Sequence, residues 1–134
     1  ARAPRDMAAM LLNVSLVALG GALGSSLRYL MGLALTRAFA ISYPLGVLPL
    51  NIIGSFLMGL FVVYAHHKGY ALANLFVMTG ILGGFTTFSA FSLEAVTLME
   101  RGQMGHAALY VGLSVALSIL GLMAGLAIAR GIWA

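Results

Sequence analysis

The sequence has no cysteine and only three acidic side chains, Asp6, Glu94 and Glu100. The first absence excludes a disulfide scaffold, thiolate catalysis and thiolate-held metal. Charge of either sign is scarce: with seven Lys and Arg, 7% of side chains are charged, far below the roughly 25% of a soluble domain. A water-soluble globule of this composition would expose large contiguous apolar patches, and with 62% hydrophobic residues the chain is equally unlike a disordered segment. Lipid is the solvent that fits. The formal charge of +4 is scattered from Arg2 to Arg130 without forming a patch, so nucleic acid is not an expected partner. No acid–base pair, and no nucleophile with a neighbouring base, sits at a spacing that would support an enzyme.

Four apolar stretches are present, over residues 11–36, 45–65, 72–98 and 107–129. Each reaches the roughly 20 residues needed to cross a hydrocarbon core. Arg28 interrupts the first and Glu94 lies near the end of the third; the second and fourth carry no charge. Breakers join them: Ser42, Tyr43 and Pro44; His66 to Gly69; Glu100 to Gln103. The sequence therefore predicts an all-α integral membrane protein with four transmembrane helices and both termini on one side. Residues 1–10, which do not begin with Met and hold Met7 and Met10, are expected to be an N-terminal extension, and 11–134 a single transmembrane domain. A cleaved signal peptide fits poorly, because the first run is too long and Arg28 falls within it.

Orientation receives almost no vote. Arg2, Arg5, Lys68 and Arg130 fall on the terminal side, against Arg37 and Arg101 on the other, plus Arg28 if it snorkels there; without the first few residues the first count falls to two. A chain without a basic bias can insert both ways, and two opposite insertions imply an antiparallel two-fold homodimer. Small residues at four-residue spacing, Gly20 and Gly24, Ser55 and Gly59, Gly80 and Gly84, Gly121 and Gly125, predict close helix packing in lipid. Four helices enclose little lumen, so a permeation path is expected at a subunit interface.

The third stretch carries the most unusual chemistry: adjacent glycines and a polar cluster, Gly83-Gly84-Phe85-Thr86-Thr87-Phe88-Ser89-Ala90-Phe91-Ser92, at mid-membrane depth. Non-helical backbone there is tolerated only where protein buries it or a cavity lines it, and a helix break at Gly83 to Thr87 is expected. The competing reading is a continuous helix whose hydroxyls bond back to their own carbonyls. Phe88 and Phe91 share a helical face, which suits ordinary packing or a ring-lined path, since a phenyl edge is positive. Asn51 in the second span suits either an interhelical hydrogen bond or donation to an anion. Tyr110, Ser114 and Ser118 stack three hydroxyls on one stripe, either back-bonded or free to donate. Arg28 suits a vestibule or a structural role; Glu94 has no assigned role.

The GG-x-TTFS-x-FS run followed by Glu94 resembles the signature of the Fluc (CrcB-type) fluoride channels, with Phe85 and Ala90 at its variable positions. The likeness extends to Arg28 in a Gly-rich first span, Asn51 in the second and the polar stripe of the fourth. The resemblance implies a dual-topology homodimer in the plasma membrane of a microbial cell, with two pores at its interface that let cytoplasmic fluoride leave passively. By the same resemblance Asn51, Phe88, Phe91, Tyr110, Ser114 and Ser118 line the pores, and a structural sodium ion sits on the two-fold axis, held by the main-chain carbonyls of Gly83 and Thr86. A small-multidrug-type dual-topology transporter is the alternative with the same architecture. It needs a carboxylate in the middle of its first span, which is absent here.

Overall fold

The computed structural model describes residues 2–41, 43–69 and 71–133, apart from the side chains of residues 2–5 and 71. Ser42, one of the expected breakers, lies outside these residues, as do the side chains of Arg2 and Arg5. Every regular element among the described residues is helical, and four helical spans are long and apolar enough to cross a membrane. Helix α1 runs Arg2–Phe39 and α2 Val47–Lys68. The third span is composite: α3 Ala71–Asn74, a π-helical segment Leu75–Leu82, α4 Gly83–Phe85 and α5 Phe88–Glu100. Helix α6, Met104–Trp133, completes the bundle.

The ends of these helices follow from local chemistry. Gly69 closes α2 at φ 72°, with its N–H on the Ala65 carbonyl at 2.7 Å, a left-handed position that glycine adopts without steric cost. His66, His67 and Lys68 therefore belong to the last helical turn of α2 rather than to a loop. Gly102, at φ 76°, turns the chain after α5. His106 lies inside α6. Residues 2–10 continue α1 without interruption; at 1.5 Å per residue the helix is about 57 Å long, well beyond a hydrocarbon core.

The small-residue faces meet one another in two zippers. In the first, a Cβ on Gly24 would collide with the Ile81 carbonyl, and one on Gly84 would lie 2.7 Å from the Gly21 oxygen and 3.2 Å from the Ser25 nitrogen. In the second, Gly59 abuts the Leu122 carbonyl and Gly125 the Phe56 carbonyl. Val17 and Gly20 meet Gly80 while Ser25 meets Gly84, so α1 and the first half of the third span run parallel. Ile52 meets Gly121 and Phe56 meets Gly125, so α2 and α6 are parallel as well. The spans thus alternate in direction, and the described ends of α1 and α6 lie on one side.

The break is shorter than the sequence suggests. Thr86 (φ −87°, ψ 155°) and Thr87 (φ −152°, ψ 126°) are extended, whereas Gly83 to Phe85 stay helical. Gly84 serves close approach to α1 rather than unwinding, whereas a Cβ on Gly83 would meet only the Met78 carbonyl, at 3.5 Å. Upstream the backbone is π-helical: the Gly83 N–H reaches the Met78 carbonyl as well as that of Gly80. Single π turns often occur at functional sites, and nothing in the apolar run Leu75–Leu82 announces one.

Candidate functional site

The chemistry of the break is an accounting of carbonyls. In a continuous helix the Gly83 carbonyl would take the Thr87 N–H, and the Thr86 carbonyl the Ala90 N–H. Here the Thr87 N–H donates instead to Asn51 Oδ1 at 2.9 Å, and the Ala90 N–H to Thr87 Oγ1 at 3.2 Å. Thr87 is thus the N-cap of α5, and Asn51 completes a two-bond clip by donating Nδ2 to the Thr87 carbonyl at 3.0 Å. Arg28, half-buried on α1, donates Nε to the Gly84 carbonyl at 3.2 Å. The carbonyls of Gly83 and Thr86 are left without their helical donors.

Those two residues open onto a groove of about 510 Å³ bounded by three spans. Helix α2 contributes Asn51, Gly54, Ser55 and Met58 to its wall; the third span adds Gly83, Thr86, Thr87, Phe88 and Phe91; and α6 supplies Ser114, Val115, Ser118, Ile119 and Leu122. No wall residue is ionisable. Phe88 is 78% exposed, so within one chain it is not a core residue. Its ring lies 5.4 Å from that of Phe91, which stacks on Tyr110 at 5.5 Å and 17°. Ser114 Oγ is buried without a hydrogen-bond partner among the described residues, an arrangement that costs about 1–3 kcal/mol unless a ligand or water fills it.

Seven of the residues singled out by sequence therefore converge: Asn51, Gly83, Thr86, Phe88, Phe91, Ser114 and Ser118. Two do not. Tyr110, expected to begin the hydroxyl stripe, is 3% exposed and lies behind Phe91, its hydroxyl donating to Glu94 Oε1 at 2.6 Å. The phenol is long enough to leave the stripe sideways for an acid. Arg28 holds backbone at the break from the α1 side and is not part of the wall.

A family model described as CrcB-like protein, Camphor Resistance (CrcB), matches residues 15–126. The chain belongs to the CrcB family. Among its relatives, a fluoride-specific ion channel FluC of Ruegeria sp. strain TM1040 is 61% identical over 124 residues, 92% of this chain and 98% of the relative. A namesake from Cereibacter sphaeroides is 60% identical over 122 residues, with coverages of 91% and 98%. One from Agrobacterium fabrum is 47% identical over 125 residues, covering 92% and 100%. Four apolar spans in a chain of this family make it a multi-pass membrane protein.

Sequence reasoning left two parts of this CrcB chain unread. Glu94 is 2% exposed and accepts from the Val47 N–H at 3.0 Å as well as from Tyr110. It takes the first N–H of α2 and joins three spans at one point; a buried acid in a span was the signal, but its partners lie 47 and 16 residues away. Ser55 had been assigned to helix packing with Gly59, yet it faces the groove while Gly54, beside it, is the residue pressed against Thr86 and Phe85.

Proposed function

We propose that this chain is a passive, fluoride-selective channel of the plasma membrane of a microbial cell, which lets cytoplasmic fluoride leave down its electrochemical gradient. Two antiparallel copies close their grooves against each other, and each groove becomes a pore. The observation that carries the reading is the groove wall itself: amide, hydroxyl and phenyl groups set among aliphatic side chains, with no fixed charge. An anion in transit needs donors weak and numerous enough that it can leave again. The Ser114 and Ser118 hydroxyls, the second Nδ2 hydrogen of Asn51 and the positive edges of Phe88 and Phe91 supply such donors. Tyr110, behind Phe91, contributes through the ring it supports.

The Gly83 and Thr86 carbonyls fit a structural sodium ion. Lacking helical donors, they are hard oxygen acceptors, and two copies meeting at the break would present four of them to a hard cation. The ion would offset the dipoles of unpaired carbonyls at a dry interface. Gly83, Thr86 and their duplicates would hold it, while Asn51 and Arg28 fix the neighbouring backbone.

A proton-coupled transporter of the small-multidrug type is disfavoured by Glu94, the buried acid of the third span, which faces Val47 and Tyr110 rather than the groove. In liposomes holding the purified protein, fluoride should leave rapidly and chloride at the background rate. Chloride efflux at a comparable rate overturns the proposal.

A further inference from the structure

We propose that Ser55 is an anion-contacting residue that continues the hydroxyl ladder of α6 onto α2; this rests on the channel reading above. The stripe on α6 that holds Ser114 and Ser118 ends at Leu122, which offers no donor. The glycine contacts fix the register of the two parallel helices. Gly121 meets Ile52 and Phe56, and Gly125 meets Phe56, Gly59 and Leu60. Asn51 is therefore level with Ser118, and Ser55 is level with Leu122. Where α6 runs out of hydroxyls, α2 presents one, a helical turn beyond Asn51 and on the same face.

Two observations separate this from a packing role. Ser15, Ser26, Ser92 and Thr97 each return the hydroxyl to the carbonyl four residues back, whereas among the described residues no such bond forms at Ser55, which stays half-buried in the groove wall. The groove is also already poised for a hydrogen-bonding guest, since Ser114 is 5% exposed, lines the same wall and has no partner among the described residues. Met58, the next wall residue of α2, is apolar, so Ser55 is the last donor of α2 along this wall. An anion leaving the level of Asn51 and Ser118 meets it before the thioether.

The experiment is fluoride efflux from liposomes carrying wild type, Ser55→Ala, Ser55→Thr or Ser55→Val, with thermal midpoints of the same samples in detergent. A hydrogen bond to a charged group lost from the path should slow efflux about tenfold. Ser55→Ala should show that loss at an unchanged midpoint. Threonine and valine have the same shape, so threonine should keep most of the flux and valine lose it, which preserves the test even where alanine folds poorly. Alanine at the wild-type rate, or threonine and valine equally impaired, overturns the assignment while the channel reading stands. A wild type that passes no fluoride overturns both.

Discussion

Asn51 shows how one side chain can set backbone far away in sequence. Its amide matches the N–H and C=O of Thr87, so Asn51→Ala should strand both groups at about 1–3 kcal/mol, lower the thermal midpoint and reduce fluoride flux. Phe88 makes the opposite prediction. Because its ring is 78% exposed in one chain, Phe88→Ile should leave the fold of each subunit intact and lower flux alone; normal conduction would remove Phe88 from the path. Glu94 belongs with Asn51. Glu94→Ala should lower the midpoint more than Glu94→Gln, since glutamine keeps an oxygen for the Val47 N–H and the Tyr110 hydroxyl; equal losses would show that the acceptor is not what matters. Residue types at the site were legible because polar groups are rare and costly in lipid. Their partners were not, because a hydrogen bond across 47 or 36 residues leaves no periodic trace.

At the scale of elements, two glycine zippers hold the spans, and the third span is divided between packing and chemistry. Its first half follows α1 backbone to backbone through Gly20, Gly24, Gly80 and Gly84, and its second half starts afresh at a threonine cap. A methyl at Gly24 or Gly59 meets a carbonyl and nothing that can yield, so Gly24→Ala and Gly59→Ala should cost about 1–3 kcal/mol. Gly112→Ala, with open space around it, should be neutral or stabilise by about 0.5–1 kcal/mol. Thermal midpoints of the three variants check the contrast; equal effects would show that the zippers do not hold the bundle. The spans and the small-residue faces were readable from hydropathy and spacing. The extent of the break was not, since the Gly83-Gly84 pair suits unwinding and close approach equally, and only Gly21 and Ser25, which press on Gly84, reveal that Gly84 is there for close approach. The π segment had no signal at all, being a run of apolar side chains that any helix accepts.

The whole molecule presents its polar groove on a face that a single chain leaves open, with Phe88 protruding from it. Open polar grooves bounded by apolar helices are not stable against lipid, which is the physical argument for a second copy. Arg28 is held at the break by the Gly84 carbonyl and casts no vote; outside residues 1–10 the basic residues then balance, Lys68 and Arg130 against Arg37 and Arg101, which argues that this copy is inverted. Cysteine accessibility supplies a check, because the chain has no native cysteine: a single cysteine at Gly105 should be labelled from both sides of the membrane in a cell population, whereas labelling from one side only would contradict opposite insertion. Uncoupled passage of fluoride would show itself in the reversal potential of a planar bilayer holding the protein. It should follow the fluoride gradient at about 59 mV per tenfold ratio, unmoved by an imposed pH or chloride gradient. A reversal potential that shifts with pH, or that tracks chloride, would contradict it.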